Sequence, residues 1–303
     1  MKLSRRNLLI GASVIGALGV AGFGPPLCSK RPKRSATAQQ RLKRPPGQPK
    51  PLLEEDIRPV LARLEAWYDA NLPKGIQTNP PPPTEPDKEL WRQSYPSGQY
   101  AFNPPATDAQ IDALERVIGF KLPNAYRQLY RWHDGDDVVD TDAYGHIYGL
   151  PLIPLEGVEA IWRTWINVLA GMGGDRYRIR GAGWPVGAVD PAYINPRWIP
   201  LTLDGSGNHI GLDMDPWPAG RIGQVIIFGT DEHVKVVLAE SLGKFFEWVA
   251  ELLESGNFRT DATGERRLRL FRLKNPPVDD FHEGARILLG APGPFDLADD
   301  SNF

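Results

Sequence analysis

The sequence predicts an α+β fold in which an antiparallel central β-sheet is flanked by helices. Three observations carry that expectation. Tyr193–Gly229 holds three short apolar runs, Trp198–Leu203, His209–Met214 and Gln224–Phe228, separated by Asp204-Gly205-Ser206-Gly207-Asn208 and by Asp215-Pro216 through Gly220. Runs of this length, bounded by residues that tolerate positive φ, read as a meander of strands. Val225-Ile226-Ile227-Phe228 is apolar on both faces, as a strand covered from two sides requires. Segments on either side of this stretch place apolar residues at helical spacing.

Taken in order, the helices begin with Ile57–Asn71, where Ile57, Leu61, Leu64 and Tyr68 share a stripe. Asn79–Pro83 reads as polyproline, and the chain up to Phe102 as irregular wrapping. Thr107 and Gln110 fit a capping box ahead of Ile111, Leu114 and Ile118, and Gly119 stops that helix. Leu122-Pro123-Asn124 starts a third helix, which ends at His133-Asp134-Gly135. Val158, Ile161, Trp162, Trp165 and Leu169 make a fourth, whose tryptophan stripe reads as core. Gly171–Val186 reads as a variable Gly-rich loop. Val234–Leu238 pairs with Val225–Phe228 across a tight turn. A last helix runs from the Ser241 cap through Phe245, Phe246, Val249 and Leu253 to Gly256. Arg267–Leu273 alternates enough to add an edge strand, and the Pro/Asp-rich end beyond it reads as mobile.

Charge divides the chain. Residues 1–50 contain eleven Lys or Arg and no Asp or Glu, so of 35 basic and 37 acidic residues the remainder keeps 24 and 37, a balance of −13. An acidic body repels phosphates and argues against a nucleic-acid partner; it suits a basic protein. The single cysteine, Cys28, leaves the body without disulfides, thiolate metal sites or thiol catalysis.

Arg5-Arg6 followed by an apolar Gly/Ala-rich run to Phe23 has the form of a twin-arginine signal, and places the protein in the periplasm or anchored to the cytoplasmic membrane, with residues 8–23 as a possible tether. Cleavage near Ala36-Thr37-Ala38, lipidation at Cys28 and retention as an anchor are all open. Residues 29–51 are rich in Pro, Lys and Arg and read as a disordered tether. The expected organisation is a signal or anchor over 1–38, a linker over 39–54, a folded domain over 55–257 and an extension over 258–303.

The central stretch carries a resemblance as well. Pro196-Arg197-Trp198-Ile199-Pro200-Leu201, Asp204, Gly207-Asn208-His209-Ile210-Gly211-Leu212-Asp213, Gly223-Gln224-Val225-Ile226 and Phe228-Gly229-Thr230-Asp231 are similar, in order and local spacing, to the fungal cell-wall-assembly-regulator family, the founding branch of the SUKH superfamily. Leu114-Glu115, Gly119, Leu122-Pro123, Tyr126 and His133-Asp134-Gly135 resemble that family's opening, Tyr148-Gly149-Leu150 matches more loosely, and Ala239, Ser241, Phe246 and Gly256-Asn257 resemble its ending. The resemblance implies a SUKH-like α+β fold and a non-catalytic protein-interaction module: an immunity protein against a toxin, or a cell-envelope regulator. Of the matched positions, the polar ones are the candidate partner-binding residues: His133, Asp134, Gly135, Asn208, Asp213 and Gln224.

No phosphate loop, dinucleotide fingerprint, H-E-x-x-H or C-x-x-C is present, and no cofactor is expected. Asp204, Asn208, Asp213 and Asp215 offer oxygen ligands without the spacing of a calcium loop, and Asp and Asn in Gly-rich turns ordinarily stabilise the turn itself. A cell-envelope hydrolase is the alternative. It requires His133 and a nearby carboxylate, such as Asp204 or Asp213, to converge in one cleft.

Overall fold

The computed structural model describes residues 44–72, 102–136, 145–263 and 268–297. Their elements run α1 (Arg58–Asn71), α2 (Asp108–Ile118), α3 (Asn124–Trp132), α4 (Leu155–Gly171), β1 (Ala182–Trp184), β2 (Trp198–Pro200), β3 (Asn208–Asp213), β4 (Gln224–Gly229), β5 (Val234–Ala239), α5 (Leu242–Glu254), β6 (Arg259–Thr263), β7 (Leu268–Arg272) and α6 (Phe281–Leu289). The leader, the polyproline stretch and the last six residues lie outside the described residues.

Local signals set the helix ends. Thr107 and Gln110 form the reciprocal capping box of α2, which ends at Gly119 with φ 83°. Ser241 accepts the Lys244 N–H at the start of α5.

Five strands form one sheet in the order β1-β5-β4-β3-β2. The meander β2–β3–β4–β5 is antiparallel, as the turn chemistry predicts, and β1 adds a parallel edge to β5. No hairpin joins β1 to β5, so no tight turn forces them antiparallel.

Alternation gives the sheet two faces. Ile199, Ile210, Leu212, Val225, Ile227, Val236 and Leu238 pack with Leu61, Leu64, Ile111, Leu114, Tyr126, Phe245 and Phe246 in the main core. Trp198, Ile226 and Phe228 form the second face with Ala188, Val189 and Ala192. Every residue of β4 is buried, so this strand is covered on both faces.

The second cover comes from residues 188–192, just beyond the Gly-rich loop, with Tyr177 of that loop packed against it. Asp190 is wholly buried there and ion-paired to Arg176; Asn195 Nδ2 donates to it at 3.2 Å. The C-terminal segment also differs from expectation. β7 pairs with β6 in a separate two-stranded sheet, and Phe271, Phe281 and Ala285 enter the main core. Arg286 is buried against Glu232 and donates to Val234 O at 2.7 Å and Pro292 O at 2.8 Å, fixing α6 to β5.

Candidate functional site

The six candidate positions fall in three separate places. His133 caps α3, with its ring stacked on Phe102 at 4.4 Å and Nδ1 3.1 Å from Asn103 O. Phe102 carries His146 on a second stacking contact at 3.7 Å, and His146 is paired with the buried Asp136. Asp134 Oδ1 accepts the Leu155 N–H at 2.8 Å and so caps α4, which has no cap from its own N-cap residue, Pro154. Burial raises the Asp134 pKa, and the bond from Leu155 opposes this. Gly135 adopts φ 70°; a Cβ there would lie 2.6 Å from Leu152 O.

Asn208 opens β3. Its Nδ2 donates to Asp204 Oδ2 at 2.7 Å, and its Oδ1 accepts the Asp231 N–H at 2.9 Å. Asp213 closes β3, five residues and roughly 17 Å along the strand. It is wholly buried opposite both Trp198 and Gln224 in the ladder. Trp198 Nε1 donates to its Oδ1 at 3.2 Å, and Gln224 Nε2 to its Oδ2 at 3.0 Å. Burial pushes its pKa up to about 7, against the bonds from Asp215 N and Gln224.

Asn208, Asp213 and Gln224 are therefore buried and bonded within the molecule. His133 and Asp213 share no partner. The carboxylate beside His133 is Glu65, with Oε1 3.5 Å from Nε2, and Asp204 is bonded to Ser206 N at 2.7 Å and Asn208 N at 2.9 Å. The convergence a hydrolase needs is not formed with either Asp204 or Asp213.

A different surface gathers aromatic side chains. Trp162, Trp165, Ile166, Tyr193, Ile194, Asn195, Pro196, Trp198 and Phe228 line a recess between α4 and the second face of the sheet. Buried Trp198, Asn195 and Phe228 form its base, and partly buried Trp162, Trp165 and Tyr193 form its walls. The tryptophans are held in place: Trp162 Nε1 donates to Pro196 O at 2.9 Å, and Trp165 Nε1 to His209 Nε2 at 3.4 Å. Beside it, Asn195 Nδ2 bridges Asp190 and Asp215, each at 3.2 Å. The enclosed space is only about 10 Å³, room for about one water. Small-molecule sites are about 300–1,000 Å³, so the recess is an aromatic surface and not a ligand cavity. Helical periodicity puts Trp162 and Trp165 on the inward stripe with Val158 and Ile161; both indoles are partly buried and pack against the main core, at the margin of the sheet where β2 is the edge strand.

The family model described as SMI1 / KNR4 family (SUKH-1) matches residues 105–248. These residues are a SUKH-1 domain. Among similar proteins, the "Cell wall biosynthesis/cell cycle regulator smi1" of Schizosaccharomyces pombe is 34% identical over 220 residues, covering 69% of this chain and 43% of its own length. The "Cell wall assembly regulator SMI1" of Saccharomyces cerevisiae is 30% identical over 233 residues, 64% of this chain and 46% of its own. The "Glucan synthesis regulatory protein" of Neurospora crassa is 29% identical over 211 residues, 59% and 40%. The chain spans less than half the length of each of these relatives.

The SUKH-1 relatives correct the expected localisation. They are fungal proteins named as regulators of wall assembly, cell cycle and glucan synthesis, and they give no support to a twin-arginine route or to periplasmic or membrane-anchored placement. Among the described residues no helix is long and apolar enough to cross a membrane. Arg5-Arg6 and the proposed tether over 8–23 lie outside the described residues. The motif that misled is a charge-then-apolar pattern, which is short and common by composition alone.

Proposed function

We propose that this chain is a non-catalytic regulator of the cell-wall-assembly class that acts by binding a protein, and that the Trp162–Trp165–Tyr193 recess is the contact surface. One observation carries the reading: three partly buried aromatic rings that reach the surface, two of them fixed by indole hydrogen bonds, stand together beside a buried polar network. Aromatic anchors of this kind dominate protein interfaces because they bury large area at low entropic cost. The body beyond residue 50 carries a charge of −13 from 24 basic and 37 acidic residues, which suits a partner that is basic overall. The names of the fungal relatives support the regulatory class. The buried bonding of Asn208, Asp213 and Gln224 supports a scaffold role for those positions.

The test is quantitative affinity capture with the tagged full chain and its Trp162→Ala/Trp165→Ala variant. A discrete partner held by the first and depleted at least tenfold with the second supports the reading. Equal capture by both, with matching thermal melts, refutes it.

A further inference from the structure

Residues 44–56 do not hang free as a tether. They lie as a strap across the turn between β3 and β4 and along to the start of α5. Arg44 forks onto the turn, with Nη1 2.8 Å from Asp215 Oδ1 and Nη2 2.6 Å from Pro216 O. The Lys50 main chain pairs with it: Lys50 N donates to Gly220 O at 2.9 Å, and Lys50 O accepts from Ile222 N at 3.0 Å. Arg221 Nη1 reaches over the strap to Pro51 O at 2.8 Å. Glu55 then ties to Ser241 Oγ at 2.6 Å and Gly243 N at 3.1 Å.

Three features of this contact are those of ligand recognition. Four of the eight residues 44–51 are proline, so the segment is extended in advance and loses little freedom on docking. Its contacts are one arginine fork and main-chain bonds, with Gly47 against Pro218; apolar burial is slight, and Arg44, Pro46, Gly47, Gln48, Lys50 and Pro51 remain exposed. Such a strap can leave without opening the core. The receiving carboxylate is prepared independently of it: Asp215 Oδ2 accepts from Asn195, and Asp215 N is held by Asp213 Oδ1 at 3.0 Å.

We infer that the Asp215–Gly223 turn is a recognition site for an arginine- and proline-rich extended segment of a protein, and that Arg44–Pro51 occupies it in cis. A partner segment with an arginine ahead of a proline pair reproduces the same fork and main-chain bonds. The cis strap competes at the millimolar effective concentration of a short linker, so micromolar partner is excluded until the strap is released. The site adjoins the aromatic recess through Asn195, but the inference does not depend on the recess binding anything.

Three forms of the full chain test it: wild type, Arg44→Ala/Lys50→Pro, which removes the fork and one main-chain bond from the strap alone, and the same pair with Asp215→Asn. The probe is a fluorescein-labelled peptide of residues 41–52, read by anisotropy, with a scrambled peptide of equal composition as control. The expected result is binding to the strap-released chain at least tenfold tighter than to wild type, a loss of about tenfold on adding Asp215→Asn, and no comparable binding of the scrambled peptide. Equal binding to wild type and released chain, equal binding of the scrambled peptide, or no binding to a released chain that melts like wild type overturns it. Should the released chain fail to fold, hydrogen exchange on wild type decides: the Ile222 amide is expected to stay protected at all peptide concentrations while strap amides lose protection as peptide displaces them. Unchanged strap exchange at millimolar peptide overturns the inference.

Discussion

Gln224 Nε2 donates to Asp213 Oδ2 across the β3–β4 ladder at 3.0 Å and also reaches Ala188 O at 3.0 Å, so one amide joins the sheet to the loop that covers its second face. Two of the most recognisable polar positions in the sequence are thereby committed to the interior, and their chemistry is expressed in stability.

The first prediction concerns Asp213, whose pKa burial raises from 3.8 to about 7. A raised carboxylate keeps its proton in the folded state while the unfolded chain has released it. Its contribution is therefore full below pH 3.8 and is lost progressively as pH rises to about 7. Asp213→Asn does not titrate and turns an amide toward Gln224 Nε2. Urea melts should show it destabilised by about 1–3 kcal/mol at pH 5, with the difference shrinking by pH 8. A pH-independent difference contradicts the assignment.

Lys235 gives the opposite slope. It lies on the second face, wholly buried, with Nζ 5.7 Å from the centre of the Tyr193 ring and 5.9 Å from that of Trp198. Burial lowers its pKa to about 7, against the attraction of Glu232 and Asp190. A depressed ammonium costs stability most fully below pH 7, and the cost fades toward pH 10.5, where the unfolded lysine also loses its proton. Lys235→Met should stabilise the chain by about 1–4 kcal/mol near pH 6.5 and by less at pH 9.5, as measured by thermal melts. A destabilised variant at pH 6.5 would show that the ammonium is needed as a counter-ion to Asp190.

Arg286 tests the place of the C-terminal segment in the fold. Its guanidinium is buried with the Glu232 carboxylate, whose pKa burial raises and Arg286 holds back. Arg286→Ala strands that carboxylate and frees two carbonyl acceptors, so a loss of about 3–5 kcal/mol is expected in denaturant melts at pH 8. The loss should be smaller at pH 5, where Glu232 can take up a proton. An effect under about 1 kcal/mol would mean that α6 is a peripheral attachment.

What the sequence made legible follows from short-range physics. The β2–β5 meander was readable because apolar runs and Gly/Asp turns alternate in register, and α2 and α5 because Thr107, Gln110 and Ser241 mark their ends. The loop over the second face was not readable. Its burial depends on the tertiary Arg176–Asp190 pair, and locally those residues resemble a solvated loop. Composition makes the strap look like a disordered tether because composition registers apolar content, whereas Arg44 and the Lys50 main chain dock by polar bonds. The recess escaped for a related reason: periodicity gives the direction of Trp162 and Trp165 on α4, but not where the sheet beneath them stops.

The most direct test of a protein-binding role is site-specific photo-cross-linking in native cells, with a benzophenone side chain placed at Trp165 and, in a separate chain, at exposed Lys274. The account predicts one discrete protein adduct from position 165 and none from position 274. Identical adducts from both positions, or none from position 165 in a chain that folds and accumulates normally, would contradict it.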